Sequence, residues 1–190
     1  MIVFFLISGS IYNLSSYAQY CIPNADCSGD DFIDNFIFNT ISNLNSGGSN
    51  CFFDSYINTG LSTTVTIGNK YTIAMQAGPT WPQRFGVWID YNQDGDFDDI
   101  DEFIYASPTA GNNLFTDSII ISSSAIPGTT RLRVRCRYAQ TIAANHSCTN
   151  FIYGETEDYT VNIQSNSSPP IADFAADVIY TCNGTINFFD

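Results

Sequence analysis

Arg131-Leu-Arg-Val-Arg-Cys-Arg-Tyr138 alternates a cation with an apolar or sulfur-bearing residue from end to end. A period of two is the period of an extended strand, whose successive side chains leave on opposite faces. A helix would scatter the four arginines around its circumference. The stretch therefore predicts a strand that turns Leu132, Val134, Cys136 and Tyr138 toward a core and Arg131, Arg133, Arg135 and Arg137 the other way. The expected setting for the arginines is an exposed face, paired with acids on neighbouring strands. Gly154-Glu-Thr-Glu-Asp158 can supply those acids, with Glu155 and Glu157 sharing a face. Surface pairs of this kind contribute only about 0–1 kcal/mol each. The alternative use of such a stripe is a grip on an anion or a sugar acid.

Strand signals continue on either side. Phe85-Gly-Val-Trp-Ile89 is dense in aromatic and β-branched residues, and Ser118-Ile-Ile-Ile-Ser122 reads as another buried strand. Ile126-Pro-Gly-Thr-Thr130 is a turn leading into the arginine strand, and Tyr159-Thr-Val-Asn-Ile163 closes the domain. Thr64-Val-Thr-Ile67 and Tyr71-Thr-Ile-Ala-Met75 alternate around Gly68-Asn69, which signals a hairpin. Asp30 to Ile41 could be helical, but its Phe, Ile, Asn and Thr content favours a strand. The fold expected is all-β, a β-sandwich of immunoglobulin-like or jelly-roll-like type.

The chain has 190 residues, of which 44% are hydrophobic and 15% aromatic, enough for a real core. Residues 19–164 read as the sandwich domain. Ser165-Asn-Ser-Ser-Pro-Pro170 is a polar, proline-ended linker, and 171–190 look like two short strands that begin a second β domain, truncated here. At the other end, Met1-Ile-Val-Phe-Phe-Leu-Ile7 followed by Ser16-Tyr17-Ala18 fits a signal peptide over 1–18, with a mature start at Gln19, although the usual basic n-region is missing. No apolar run approaches the roughly 20 residues that cross a bilayer.

Charged residues are 13% of the chain, and the net charge is -13. That sign excludes nucleic-acid binding by phosphate neutralisation and disfavours anionic membranes. A cation is the natural partner. Seven of the 19 acids crowd into Asp90-Tyr-Asn-Gln-Asp-Gly-Asp-Phe-Asp-Asp-Ile-Asp-Glu102. Side-chain oxygens at Asp90, Asn92, Asp94, Asp98 and Asp101, with Gly95 at the bend, follow the D-x-[DN]-x-[DN]-G calcium pattern. Ca²⁺ takes six to eight hard oxygens, and a coiling loop presents every second side chain to it. The expected ligand set is Asp90, Asn92, Asp94, Asp96, Asp98 and Asp101, with Asp99 and Glu102 in reserve. The preceding strand rules against an EF-hand. The other reading of this stretch is a solvated acidic turn.

Six cysteines without C-x2-C spacing or histidine partners favour disulfides over zinc, in an exported and oxidising setting. Their pairing stays open; Cys182, beyond the linker, is the candidate for a free thiol. His146 is the one histidine, so multi-histidine metal sites are excluded, and no serine-hydrolase or P-loop motif is present. Glu155 and Glu157 are the only acid pair worth weighing for glycoside hydrolysis, and nearby arginines would keep both ionised, against a role as general acid. Trp88, inside a strand, reads as core. Trp81, in Pro79-Thr-Trp-Pro82, is the exposed candidate for stacking on a sugar together with nearby tyrosines.

Five stretches together are similar to the GEVED domain, a module of exported bacterial proteins. They are Tyr20-Cys-Ile-Pro23, Asp34-Asn-Phe-Ile-Phe-Asn-Thr-Ile41, Gly86 to Phe97, Gly128 to Arg135, and Tyr153-Gly-Glu-Thr-Glu-Asp-Tyr159. The name-giving motif has Thr156 in place of valine. The resemblance spans about residues 19–164, and Pro170-Ile-Ala-Asp-Phe174 onward resembles the first strands of a PKD domain. It implies a non-catalytic β-sandwich accessory module, of the kind found beside secreted proteases and adhesins, and no ligand. Cys136 is additional to the family pattern. The function expected is therefore a calcium-stabilised extracellular accessory or adhesion module, secreted or at the cell surface. Its partner would be a glycan or a protein, and the alternative is a carbohydrate-binding module attached to a secreted hydrolase or protease.

Overall fold

The computed structural model describes residues 19–47, 51 and 55–166, and the backbone of 175–176 and 188–189. The expected signal peptide, most of the linker, Cys182 and most of the tail lie outside the described residues. The elements are β1 (Ile33–Phe38), β2 (Ile41–Leu44), β3 (Tyr56–Thr66), β4 (Lys70–Ala77), β5 (Gln83–Ile89), β6 (Phe103–Ala106), β7 (Phe115–Ile120), β8 (Gly128–Tyr138), β9 (Gly154–Gln164), β10 (Ala175–Ala176) and β11 (Phe188–Phe189), with one 3-10 turn at Ala144–His146. β10 and β11 pair antiparallel as a two-stranded sheet.

The other strands make two sheets, ordered β2-β1-β4-β7 and β3-β9-β8-β5-β6. Alternation explains why they stack. Phe36 and Phe38 from β1, Ile73 and Met75 from β4, Phe85, Val87 and Ile89 from β5, Leu132 and Val134 from β8 and Tyr159, Val161 and Ile163 from β9 interdigitate in one buried cluster. Each strand gives every second residue to that layer, which makes this an all-β sandwich, as expected.

Two expectations about neighbours fail. Gly68-Asn69 does close a turn, with Asn69 N donating to Thr66 O at 3.1 Å. The flanking strands do not pair with each other. β3 runs parallel to β9, while β4 lies antiparallel to β1 and β7 in the opposite sheet. Alternation marks a strand and its buried face; it does not choose the partner, and here the turn carries the chain from one sheet to the other. Ser118–Ser122 is not buried throughout either. β7 is an edge strand with Ile119 6% exposed and Ile120 62% exposed, so it has a single core face.

The five-stranded sheet is covered on both faces. Its outer face carries Trp88 under the 139–153 segment and the N-terminal segment, where Trp88, Phe97, Ile142 and Phe151 form a second cluster with Tyr20, Ala25 and Phe103 against it. The Cys21–Cys148 disulfide joins the two covering segments, and Cys27–Cys51 forms the second bridge. Cys136 is a buried free thiol.

Candidate metal loop and the buried acid–arginine layer

The second cover changes the environment of the arginine stripe. Leu132, Val134 and Cys136 face the core as the alternation requires, but Arg133 and Arg135 on the other side are both 0% exposed, so the face is not the exposed one expected, while the expected pairing with an acid of the neighbouring strand holds for Arg131 and Arg133 through Asp158. Arg133 makes a two-pronged pair with Asp158, Nε to Oδ1 and Nη2 to Oδ2, each at 2.8 Å. Its remaining N–H groups reach the covering segments, donating to Cys21 O at 2.8 Å and Ser147 O at 3.0 Å. Its plane stacks on Phe97, with the guanidinium carbon 4.8 Å from the ring centroid. Arg131 shares Asp158 at 3.3 Å. Arg135 donates to Thr156 Oγ1 and His146 O and lies over Phe151.

Register decides which acids the arginines meet. Arg133 stands opposite Asp158 and Arg135 opposite Thr156, whereas Val134 and Cys136 stand opposite Glu157 and Glu155. Glu155 and Glu157 therefore share a face, as expected, but it is the core face, away from the arginines. Gly154 starts this arrangement. At φ 146° it lets β9 approach β8 so closely that a Cβ there would sit 2.2 Å from Cys136 O.

Glu155 accepts from Ile33 N at 2.7 Å, and its Oε1 is buried with no partner among the described residues. Glu157 accepts from Tyr159 Oη at 2.6 Å and Asn43 Nδ2 at 3.2 Å. The expectation that arginines hold both ionised is thus overturned. Burial pushes Glu155 up to about 8, with the Glu157 charge adding to it, and burial pushes Glu157 up to about 7. Cys27 and Cys51 gather with Glu155 in metal-like proximity, but their sulfurs are bonded to each other.

A pH dependence follows. The folded chain holds protons on these acids that the unfolded chain, with carboxyls near 4.5, has released. The stabilisation is complete below the unfolded value and is lost as pH rises through the folded values, so stability should fall between about pH 5 and 8. Glu155→Gln keeps an acceptor for Ile33 N and cannot ionise. It should flatten the slope and stabilise the protein at pH 8 by at least roughly 2 kcal/mol, with little effect at pH 5. Denaturant melts at the two pH values measure this, and parallel slopes for variant and parent would refute it.

The acidic loop leaves β5 and returns at β6. Gly95, at φ 93°, makes the bend, and a ladder of local hydrogen bonds coils the chain. Asn92 Oδ1 accepts from Asp94 N, Asp94 Oδ1 from Asp96 N and Asp96 Oδ1 from Asp98 N, at 3.1, 3.2 and 2.9 Å. These are Asx turns, each using one side-chain oxygen to hold the backbone. Carboxylate oxygens of Asp94, Asp96 and Asp99 lie within 4.8 Å of one another, and Asn92 Nδ2 bridges Asp94 and Asp99. Of the expected ligands, then, Asn92, Asp94 and Asp96 come together, joined by the reserve Asp99.

The others make different contacts from those four. Asp90 is buried beneath the loop, accepting from Gln93 N, Gly95 N and, at 2.5 Å, Tyr20 Oη. Asp98 turns to Ser147 Oγ at 3.4 Å, and Asp101 occupies a left-handed conformation at φ 77°. Glu102 reaches under the loop: Oε1 accepts from Tyr91 N and Asn92 N, while Oε2 is buried with no partner among the described residues. Tyr20 had no signal in the sequence as a partner of this loop, because a contact across 70 positions leaves no local trace. Trp88 is fully buried and Trp81 is 44% exposed, as expected.

A two-sheet β-sandwich with a coiled acidic loop and a strand-borne Gly-Glu-Thr-Glu-Asp motif is the class that these features define. The family model of the GEVED domain matches residues 84–162, which take in the acidic loop, β8 and most of β9. The match is narrower than the resemblance seen in the sequence and leaves out β1 to β4 and the N-terminal cover. No curated protein matches the chain. The GEVED match points to an accessory module. The two disulfides are bonds of an oxidising, extracellular kind of environment, and among the described residues no helix is long and apolar enough to cross a membrane.

Proposed function

We propose that this chain serves as a non-catalytic extracellular accessory or adhesion module, and that calcium in the acidic loop stabilises it. The observation that carries the metal reading is the convergence of Asp94, Asp96 and Asp99, two of them bridged by the Asn92 amide, on a backbone already coiled by its own Asx turns. Three carboxylates at that spacing repel one another, and a hard divalent cation is the species that relieves this. The carboxylates of Asp94, Asp96 and Asp99 offer oxygen only, and Glu102 keeps a buried oxygen below the loop with no partner among the described residues. The ion would supply charge neutralisation and nothing reactive. The residues would do the mechanical work: Asp90 fixes the loop to Tyr20, and so to the N-terminal cover.

The non-catalytic reading rests on access. Glu155 and Glu157 are each 1% exposed and so are sealed between the sheets, out of reach of a glycosidic bond. The test is thermal unfolding with EDTA, then with excess Ca²⁺ or Mg²⁺. At a hundredfold excess over Kd a ligand adds about 2.7 kcal/mol, so the midpoint should rise by several degrees with Ca²⁺, and Asp94→Asn with Asp96→Asn should abolish the rise. Superimposable curves with and without calcium would leave a solvated acidic turn as the reading.

A further inference from the structure

At the far end of β5 from the acidic loop, a cavity of about 310 Å³ is lined by Gly29, Asp31, Trp81, Tyr138 and Tyr153. Tyr138 stands between two rings set almost perpendicular to it: Trp81 at 5.7 Å and 85°, Tyr153 at 6.3 Å and 89°. Asp31 is 5% exposed, and its Oδ1 is held by Gln83 Nε2 at 2.6 Å. Its Oδ2 faces the space over Gly29, which Trp81 Nε1 also borders. Neither atom has a hydrogen-bond partner among the described residues.

We propose that this cleft binds an alkylated ammonium group, boxed by the three rings and paired with Asp31. Perpendicular rings enclose a compact group on several sides, which suits a cation attracted to the π faces; a sugar needs one open, flat ring. The volume is at the low end for a ligand site, roughly 300 Å³, and takes a headgroup, not an oligosaccharide. Charge agrees. Burial raises the Asp31 carboxyl, and Asp26 and Asp30 push it the same way, so a cation in the cleft relieves all three. Arg137, next to Tyr138 in the chain, lies over Phe151 and donates to Thr141 O.

The walls are pre-set, which lowers the entropic cost of binding. Gly78 N donates to Phe32 O, Thr80 Oγ1 to Asp30 and Asn112 Nδ2 to Pro79 O, so the strap that carries Trp81 is tied on three sides. Tyr138 N donates to Tyr153 O, and Ala139 N to Pro82 O.

Tryptophan fluorescence of the full chain, titrated with choline and with a trimethyl-lysine peptide, tests this. Trp81 should give the response, since Trp88 is buried, and Trp81→Phe should remove most of it. A saturable change is expected with at least one of the two probes, and which one identifies the source as a small molecule or a protein side chain. Neohexanol, the uncharged tert-butyl isostere of choline, should bind at least about tenfold more weakly. Asp31→Asn keeps the Gln83 contact and should cost a similar factor. Gly29→Leu, placed where an added Cβ meets only ordinary contacts, should close the cleft without lowering the melting temperature. Binding should persist in EDTA, which separates this site from the acidic loop. The proposal is overturned if neohexanol binds as well as choline, if Asp31→Asn is without effect, if an oligosaccharide fills the cleft instead, or if neither probe saturates at tens of millimolar.

Discussion

Asp158→Asn is expected to destabilise the protein by about 3–5 kcal/mol, because it leaves the fully buried Arg133 guanidinium without its counter-charge. For a chain of this size that corresponds to roughly 10 °C in melting temperature. The loss should exceed several-fold that of losing an arginine held by backbone carbonyls, and the distinction is measurable. Arg84→Ala, which removes a partly buried arginine bonded to Ser107 O and Pro108 O, serves as the comparison and should cost far less. A second variant tests the physical cause. Arg133→Met with Asp158→Leu removes both charges together and should recover much of the loss, because the desolvation cost disappears with the attraction. If the double variant is as unstable as the sum of its parts, the arginine is acting through its hydrogen bonds to Cys21 O and Ser147 O more than through its charge.

Removing the Cys21–Cys148 bridge is the other large effect. The two cysteines are 127 positions apart, so reduction frees a long loop in the unfolded chain and should cost on the order of 2–5 kcal/mol. The structure adds a local consequence. Cys21 and Ser147 both accept from Arg133, so the bridge also holds the lid over the charged layer. Cys21→Ser with Cys148→Ser should therefore speed hydrogen exchange along β8 and around Trp88 more than in the inner cluster about Ile73 and Phe36. Uniform protection across both clusters would show that the lid stays closed without its tether. Removing Cys27–Cys51, with a separation of 24, should cost less.

The sandwich was legible from alternation alone, since Leu132, Val134, Phe85 and Val161 announce a buried face on every strand that carries them. What alternation does not carry is the second cover. Arg133 and Arg135 look like surface residues because a sheet with one core face exposes the other, and nothing local says that residues 139–153 and the N-terminal segment fold back over them. The same blindness placed Glu155 and Glu157 among the arginines: one residue of register separates Asp158, which meets Arg133, from Glu157, which meets the core. The acidic loop was more readable. Its coiling depends on short-range contacts between residues two apart, and these are written in the spacing itself. The roles of Asp90 and Asp99 were not, because Tyr20 draws one down while the loop's own curvature brings the other in.

β9 is the final strand of the sandwich in chain order, yet it lies inside its sheet, between β3 and β8. The five-stranded sheet is therefore incomplete until its last strand arrives. While the chain is being made, β3 waits with a bare edge for a neighbour more than ninety positions away, and the glutamates that complete the interior arrive last. Assembly must therefore be slow, governed by distant pairings, and any interruption before the closing strand leaves an open, adhesive intermediate.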